Sequence, residues 1–471
     1  MTVIRHPNNQ GVTLSQWRKT AAGGETSVSG TDDFSAGLAY TAGAEQVFVN
    51  GVLLERGVDY TASTGTTVTG LTALVAGDIV TVSSPSAFNV ANAIPKATIT
   101  AKGDLLVGTG ASTPTNLGVG ADGTTLVANS ASATGVAWTA GNPIPNPVLN
   151  SAFQIWQRGT GTTSIATSGT FFLADRWQAV RGGYAAGGSV SRQATNDTTN
   201  LPFIQYAQRV QRDSGNTSTA TLISGQNFES INSIPFAGKT VTLSYYARAG
   251  ANYSPTSSAL STYLYTGTGT DQNNLTSTFT GSAAPINGTA ATLTTTWQRF
   301  SFTATLSSTA TQISISLVSS PTGTAGANDY FEFTGVQLDI GSVALPFRTN
   351  APTLQGELAA CQRYLPKLTV TSDTFGMVTS TTQSYYSYKL PVTARVAPTS
   401  TTVSALSDFK VFNASLANGT PTAINFNAGG LDYVSVGVTT TAGSPTIVSG
   451  QCALFTLNNA GGYILFNGCE L

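Results

Sequence analysis

Charged side chains are scarce in this chain of 471 residues. They make up 9% of it, and 21 basic residues nearly balance 22 acidic ones, whereas an ordinary globular domain carries about 25% charged residues. Nucleic-acid binding is therefore not expected, since little is present to bind a phosphate backbone. Apolar residues still form 41% of the sequence, which is enough to bury cores rather than leave the chain disordered.

Residue types that support catalysis, metal binding and disulfides are also few. His6 is the single histidine, which excludes a Ser-His-Asp triad in the distal part of the chain. The three cysteines are Cys361, Cys452 and Cys469, too few and too scattered for a disulfide framework or a metal site. We expect buried free thiols and no cofactor. A Cys452–Cys469 pair and calcium in the loops stay open.

Long apolar runs are absent as well. No run approaches the length that spans a membrane, and the polar start of the chain is interrupted by Pro7. We therefore expect no membrane insertion, no secretory signal and synthesis in a cytoplasm.

Alternation of apolar and polar residues runs through most of the sequence and predicts an all-β protein. Asn50-Gly51, a strong hairpin signal, lies between apolar strands, and Gly77-Asp78 is predicted to turn a second hairpin. In residues 241–248 the alternation predicts a core face formed by Val241, Leu243, Tyr245 and Ala247.

A strand, a turn and a short helix are predicted one after another in residues 331–365. The strand has a two-residue apolar period, typical of a half-buried strand, in Phe331, Phe333, Val336, Leu338 and Ile340. Gly341-Ser342 ends the strand. Beyond Thr353, the spacing of Leu354, Leu358 and Cys361 predicts a helix that closes at Pro366.

This stretch resembles a junction found in many bacteriophage tail-fibre and tail-appendage proteins. The string GVQLDIGSVALPFRTN followed by ELAACQRYL matches the family pattern at Gln337, Leu338, Gly341, Ala344, Pro346, Phe347, Glu357, Leu358, Cys361, Gln362, Arg363 and Tyr364. Asp339 stands where Glu is usual, and Leu345 replaces the common Thr.

Other blocks resemble further parts of such proteins. FVNGVLLERGVDYT resembles virion-attachment domains, and GDLLVGTG with LGVGADGTTLVA and GVAW resembles fibre shafts. FQIWQRG and ADRW resemble appendage proteins that contain a jelly roll similar to carbohydrate-binding modules, and LPVTARVAPT resembles the family's C-terminal domain.

These blocks suggest six segments. They are an anchoring peptide (1–24), an N-terminal attachment β-domain (25–94), a glycine-rich shaft (95–144), a jelly-roll β-sandwich (145–348), a helical connector (349–365) and a C-terminal β-sandwich (366–471). The shaft has too few large residues to fill a core in one chain, so we expect three chains to intertwine as a homotrimer.

The resemblance implies a fibre of the virion that attaches to the phage tail or another virion protein and adheres to a glycan on the host surface. Two alternatives remain: a structural capsid or baseplate fibre or decoration protein without a receptor role, and a polysaccharide depolymerase. Catalysis is not expected because the carboxylates are thinly spread, and Asp175 beside Arg176 is interpreted as a structural pair.

Candidate binding residues follow from residue type. Aromatic rings stack on the C–H faces of sugars, which gives Trp177, Tyr184, Tyr253, Tyr265, Tyr385 and Tyr433 as glycan-binding candidates; core packing is the alternative for each. Strand parity predicts that Tyr386 and Tyr388 are core and that Tyr385 points outward. Trp17 and Arg18 are virion-attachment candidates in LSQWRKT, interpreted as a short helix or docking peptide, with a helix cap packed on its own domain as the alternative. Arg395 is expected to form an ion pair or cap carbonyls.

Overall fold

A computed structural model describes residues 13–86, 94–121, 124–140, 145–167, 171–369, 373–459 and 461–471. Its secondary structure is almost entirely antiparallel β-sheet, which confirms the predicted all-β class. Two compact units are present, Met1–Leu106 with Pro114–Asn116, and Val107–Thr113 with Leu117–Leu471. The finer domain boundaries stay predictions. Within the described ranges, no helix is long and apolar enough to cross a membrane.

The first unit contains a four-stranded sheet in the order β1-β6-β3-β4 and a two-stranded sheet of β2 and β5. The strands are β1 (Thr13–Thr20), β2 (Ser27–Ser29), β3 (Gln46–Val49), β4 (Val52–Leu53), β5 (Thr67–Thr69) and β6 (Ile79–Ser86). Asn50 and Gly51 have φ of 52° and 82°, as a two-residue hairpin turn requires, and the β3–β4 hairpin is confirmed. The second predicted hairpin is wrong, because β5 pairs with β2 and not with β6.

The helix predicted around Trp17 is also wrong, since residues 13–20 form β1 and pair along their whole length with β6. Trp17 is 3% exposed and packs with Val47 and Val80 in the core of this unit. Its Nε1 donates to the carbonyl of Gly30 at 3.2 Å. Arg18 lies on the exposed face of the same strand. A short sequence window cannot reveal that distant β6 supplies the pairing partner.

Four short strands lie in the described residues of the glycine-rich segment. They are β7 (Leu105–Gly108), β8 (Pro114–Leu117), β9 (Thr124–Ala128) and β10 (Val136–Ala140), in two-stranded sheets β7-β8 and β9-β10. Several of their apolar side chains stay exposed in the single chain: Leu105 (36%), Leu106 (42%) and Leu126 (37%). The segment therefore does not bury its apolar residues by itself.

A β-sandwich of two six-stranded sheets forms most of the second unit. Sheet A has the order β11-β14-β15-β22-β17-β20, and sheet B has the order β12-β13-β16-β21-β18-β19. The elements are β11 (Thr163–Ser164), β12 (Phe171–Phe172), β13 (Gln178–Arg181), β14 (Gly188–Ala194), β15 (Tyr206–Arg212), β16 (Leu222–Asn227), α1 (Ser230–Ser233), β17 (Thr240–Ala249), β18 (Ala259–Gly267), β19 (Ala283–Thr292), β20 (Gln298–Thr305), β21 (Gln312–Ser319) and β22 (Tyr330–Ile340). The apolar faces of both sheets contribute to one core.

Strand β22 lies inside sheet A and is buried on both faces. Its inner face contributes Phe331, Phe333, Val336 and Leu338, all 0% exposed, and each such side chain stabilises the fold by roughly 1.5–3 kcal/mol. The expectation of a half-buried strand is wrong for the outer face, where Glu332, Gln337 and Asp339 are also 0% exposed. Arginines and a loop cover these polar side chains. On β17, the predicted core face is confirmed.

The apolar alternation of β22 skips one residue between Phe333 and Val336, and the structure has a β-bulge at this point. Gly335 has a φ of 60°, and the register against β17 shifts between Ser244 and Tyr246. A bulge places an extra residue opposite one partner and lets the alternation resume in the new phase.

A connector and a second group of sheets follow. Helix α2 (Leu354–Gln362) begins as predicted after Thr353, whose Oγ1 accepts from Gly356 N at 3.1 Å. The later strands are β23 (Lys367–Leu368), β24 (Thr374–Val378), β25 (Gln383–Lys389), β26 (Ser400–Val403), β27 (Phe409–Phe412), β28 (Asn418–Gly419), β29 (Pro421–Gly429), β30 (Tyr433–Thr440), β31 (Cys452–Leu457) and β32 (Ile464–Asn467). They form a seven-stranded sheet, β28-β27-β31-β24-β25-β30-β29, and a three-stranded sheet, β23-β32-β26.

An ion pair joins the C-terminal end of the chain to the sandwich, and an arginine caps carbonyls beside it. Arg176 pairs with Glu470 at 2.8 Å, so the expected Asp175–Arg176 pair is wrong. Asp175 instead accepts from Gln157 N at 3.0 Å, and burial raises the pKa of Asp175 to about 6. Arg395 caps the carbonyls of residues 469 and 470 at 2.8 and 2.7 Å, as expected.

The cysteines do not form disulfides in this structure. Cys361 and Cys469 are buried free thiols, as predicted, whereas Cys452 is free and exposed. A Cys452–Cys469 bond is therefore not formed.

Candidate functional site

A pocket of about 540 Å³ opens on the outer face of sheet A. This volume lies within the range of roughly 300–1,000 Å³ typical of ligand sites. The lining residues come from the loop before β15, from the neighbouring strands β17 and β20, and from the segment after β22: Thr199, Asn200, Leu201, Pro202, Phe203, Ile204, Tyr246, Arg299, Ala344, Pro346 and Phe347.

The floor of the pocket is a small apolar cluster, separate from the core between the sheets. Leu201, Ile204 and Trp297 are buried in it, and Tyr246 and Phe347 pack against it while remaining partly exposed. Phe203 extends from the rim and is 88% exposed. Because the floor is packed from below, the rings of Tyr246 and Phe347 are held in place before a ligand arrives.

The β-bulge in β22 positions this floor. A Cβ atom on Gly335 would lie 2.8 Å from both Ile204 Cδ1 and Tyr246 Cδ2, closer than real Cβ contacts allow. The absence of a side chain at Gly335, together with its positive φ, lets the two side chains meet over the bulge.

One wall of the pocket is the segment 344–348, and the outer face of β22 holds it. Gln337 Nε2 donates to the carbonyls of Leu345 and Pro346 at 3.2 and 3.3 Å, and Gln337 Oε1 accepts from Arg348 N at 2.8 Å. Asp339 accepts from Leu345 N at 3.0 Å and pairs with Arg348 at 2.6 Å. The buried polar side chains of the phage-like motif thus shape the wall that carries Phe347.

The opposite rim is a hairpin loop between β14 and β15. Asp197 accepts from the backbone N–H groups of Thr199 and Asn200 at 2.9 and 2.7 Å and from the Asn200 side chain at 2.8 Å. These bonds, first that from the Asn200 side chain, lower the pKa of Asp197. Thr195 Oγ1 donates to the Ile204 carbonyl at 2.6 Å and closes the loop.

Arg299 is the only charged residue among the described residues that line the pocket. Its Nη2 donates to Ser244 Oγ at 3.0 Å and to the Leu345 carbonyl at 2.5 Å. Its guanidinium carbon lies 5.5 Å from the centre of the Tyr246 ring. The guanidinium is therefore fixed between the floor and the wall.

The groups that line this pocket can bind a ligand. Aromatic rings on a rigid floor present flat apolar surfaces, and Arg299 and Asn200 supply polar groups beside them. No carboxylate is among the described residues that line the pocket. Elsewhere in the sandwich, the buried Glu332 contacts Arg209 and Arg248 at 2.6 Å. Across the described part of the chain, no group of three or more His, Cys, Asp or Glu side chains is placed to hold a metal ion.

The structure does not bring the predicted glycan-binding aromatics together. Trp177 is 1% exposed and stacks in the sandwich core against Phe153 and Phe333, with ring centroids 5.1 and 5.2 Å away. Tyr253 packs against the same core, and its hydroxyl donates to the Ala259 carbonyl at 3.1 Å. The prediction is therefore wrong for Trp177 and unsupported for Tyr253, because core packing uses both rings.

The remaining predicted aromatics are accessible but lie outside the pocket lining. Tyr184 is 41% exposed and Tyr433 56% exposed. Tyr265 stacks on Tyr263 on sheet B, with ring centroids 5.3 Å apart. Tyr385 is half-buried on the seven-stranded sheet. These four stay predictions as binding residues.

The prediction from the alternation on β25 is confirmed for Tyr386 and Tyr388, which contribute to the core. Tyr386 is 1% exposed, and Tyr388 packs against the same C-terminal core.

Sequence reasoning missed Phe203, Tyr246, Arg299 and Phe347. A signal existed for two of them: Tyr246 alternates with the core residues of β17, so it faces outward, and Phe347 belongs to the phage-like motif. No local pattern marks Phe203 or Arg299, since their role arises only where distant segments meet.

No protein-family model and no curated protein matches the chain. Solved structures with partial similarity include the enzymatically active domain of tailspike protein 4 from bacteriophage CBA120, with 12% identity, a TM-score of 0.26 and coverage of 42% of this chain and 21% of that chain. Another is a carbohydrate-binding module, CBM4, with 17% identity, a TM-score of 0.26 and coverage of 41% and 98%.

The CBM22-1–GH10 modules of xylanase 10B from Clostridium thermocellum, complexed with xylohexaose, show 11% identity, a TM-score of 0.24 and coverage of 40% and 30%. The matched part spans about a fifth of the tailspike chain. At these identities and TM-scores, the similarities establish nothing about the ligand or activity of this chain.

Proposed function

We propose that this protein is a bacteriophage fibre of the virion that adheres to host surface glycans through the pocket on sheet A. The observation that carries the proposal is a preformed pocket in which partly exposed aromatic rings lie beside a fixed guanidinium. The sequence resemblance to tail-fibre and tail-appendage proteins supports the location.

A sugar ring fits such a surface for two physical reasons. Its C–H face stacks on an aromatic ring such as Tyr246 or Phe203, and burying these rings removes apolar surface from water. Its hydroxyls can pair with Arg299 Nη1 and the Tyr246 hydroxyl, neither of which forms a hydrogen bond with the described residues.

The proposal is for adhesion without cleavage. Glycoside hydrolysis generally uses two carboxyl groups flanking the bond, and neither Asp nor Glu is present among the described residues of the pocket lining. Host polysaccharide incubated with the protein should therefore keep its chain length in size-exclusion chromatography, and a loss of length would identify a depolymerase.

Fibre assembly through the glycine-rich segment belongs to the same proposal. Leu105, Leu106 and Leu126 remain 36–42% exposed in the single chain, and intertwining three chains would bury them. Native mass measurement should give a trimer. A monodisperse monomer would contradict this part.

Glycan binding is tested on an array of purified bacterial surface polysaccharides. Wild-type protein should bind a subset, and Tyr246→Ala should weaken that binding by about tenfold or more because the stacking ring is lost. Tyr184→Ala is the matched control, since Tyr184 is exposed but outside the pocket. Equal binding by both variants would refute a site in this pocket.

A further inference from the structure

We infer that the glycan taken by this pocket is acidic, and that the carboxylate of a sugar acid binds Arg299. The inference rests on the proposed function and specifies its ligand class. It comes from the charge and the hydrogen bonds of Arg299, compared with those of other arginines on the same sandwich.

Three of the other arginines of sheet A have a carboxylate partner. Arg209 and Arg248 both contact Glu332, at 2.6 Å each, and Arg212 contacts Asp329 at 2.7 Å. In contrast, Arg299 has no carboxylate within 4 Å among the residues that the structure describes. A positive charge is therefore left without a counter-charge at the pocket wall.

The rim does not supply that counter-charge. Asp197 is in the rim loop, but it does not line the pocket. Its oxygens accept the N–H groups of Thr199 and Asn200 within 2.9 Å. These bonds satisfy Asp197 within its own loop.

The guanidinium of Arg299 is also incompletely hydrogen-bonded. Nη2 makes both of its bonds, to Ser244 and Leu345. Nε is buried without a partner, and Nη1 has none among the described residues and is not buried. Because Nη2 is anchored, the N–H donors of Nη1 point in a fixed direction and are available to a ligand. A charged acceptor is favoured there, since a hydrogen bond between two charged groups is about twice as strong as one between neutral groups.

A sugar carboxylate matches this arrangement in charge and geometry. The described residues that line the pocket carry one formal positive charge, which balances a monoanion better than a doubly charged phosphate monoester. A pyranose ring that carries the carboxylate can stack on Tyr246, whose ring centre is 5.5 Å from the guanidinium carbon. Both contacts can then form with one uronic acid residue.

Matched pairs of polysaccharides provide the test. Acidic bacterial polysaccharides are immobilised beside the same polymers after carbodiimide activation and borohydride reduction, which converts each carboxylate to a primary alcohol. Wild-type protein, Arg299→Gln and Arg192→Gln are compared on both at low and high NaCl. Arg192 is the control because it packs 4.3 Å from the Tyr206 ring and lies outside the pocket lining, so its replacement removes one charge from the same sandwich.

We expect carboxyl reduction to weaken wild-type binding about tenfold to a hundredfold, the value of a hydrogen bond to a charged group. Arg299→Gln should bind the native polymer more weakly than the wild type by the same factor, and carboxyl reduction should not weaken its binding further. Arg192→Gln should bind both polymers as the wild type does. Added salt should weaken binding by the wild type more than by Arg299→Gln.

Binding that survives carboxyl reduction, or a preference for neutral polymers, overturns the inference. If this binding is still lost in Tyr246→Ala, the proposed glycan site stands and only the acidic ligand class is wrong. If no polysaccharide binds, the proposed function itself fails. Because reduction is tested on the unaltered protein, misfolding of Arg299→Gln cannot produce the decisive result.

Discussion

Gly335 is the position where one added methyl group should disturb both stability and the pocket. Gly335→Ala places a Cβ 2.8 Å from Ile204 Cδ1 and Tyr246 Cδ2 in a buried site, and φ of 60° is itself unfavourable for alanine. Gly323→Ala is a matched control, because Gly323 has φ of 56° and no atom within 4 Å of the added Cβ.

The two variants separate conformational cost from crowding. A residue with a side chain in the left-handed region costs roughly 1–2 kcal/mol, partly offset by about 0.4–1 kcal/mol from the stiffer unfolded chain. Both variants carry this net cost of about 1 kcal/mol. Gly335→Ala adds overpacking of about 1–3 kcal/mol. We therefore expect a loss of roughly 2–4 kcal/mol at position 335, against about 1 kcal/mol at position 323.

Urea unfolding followed by tryptophan fluorescence measures this difference, because Trp156, Trp177 and Trp297 all lie in the sandwich. With a slope near 2 kcal/mol/M, a loss of about 3 kcal/mol lowers the midpoint by about 1.5 M. Polysaccharide binding should fall in Gly335→Ala alone, since only that variant displaces Tyr246. Equal midpoints and equal binding in the two variants would show that the bulge does not position the pocket.

Two further predictions concern other parts of the chain. Asp175 binds its proton more tightly in the folded state, because burial raises its pKa from 3.8 to about 6. The stability that protonated Asp175 contributes is therefore present below about pH 4 and lost as the pH rises through 6. The free energy of unfolding of the wild type, relative to that of Asp175→Asn, should fall by up to about 3 kcal/mol between pH 4 and 7. A pH-independent difference between the urea midpoints of the two proteins would contradict this. In the first unit, Trp17→Ala should cost about 3–5 kcal/mol because its ring is buried, whereas Arg18→Ala, on the exposed face, should stay within about 0.5 kcal/mol; similar melting curves for the two variants would refute the assignment of Trp17 to the core.

Local sequence patterns predicted much of the fold because the features they predict are determined by residues close together in the sequence. The alternation in residues 241–248 fixes which side chains of β17 face the core, and Asn50-Gly51 fixes the β3–β4 turn through its positive φ values. Thr353 likewise begins α2 by capping it. These features need no information from distant residues.

The candidate site could not be predicted in the same way, because it is formed by contacts between segments that are distant in the sequence. Arg176 pairs with Glu470, 294 residues away, although Asp175 is its neighbour in sequence. Residue type alone also misled the choice of aromatic candidates, since it does not distinguish Trp177, which is buried in the core, from Tyr246, which lines the pocket. Only the order of strands in sheet A brings Tyr246 and Arg299 together beside Phe347.

Hydrogen–deuterium exchange of the whole protein, with and without a bound bacterial polysaccharide, tests the central claim most directly. We predict that the polysaccharide slows exchange in residues 199–204 and 344–348, which form the two sides of the pocket, and leaves residues 373–459 unchanged. Slowed exchange confined to residues 373–459 would place glycan binding in the C-terminal sheets and contradict the pocket on sheet A.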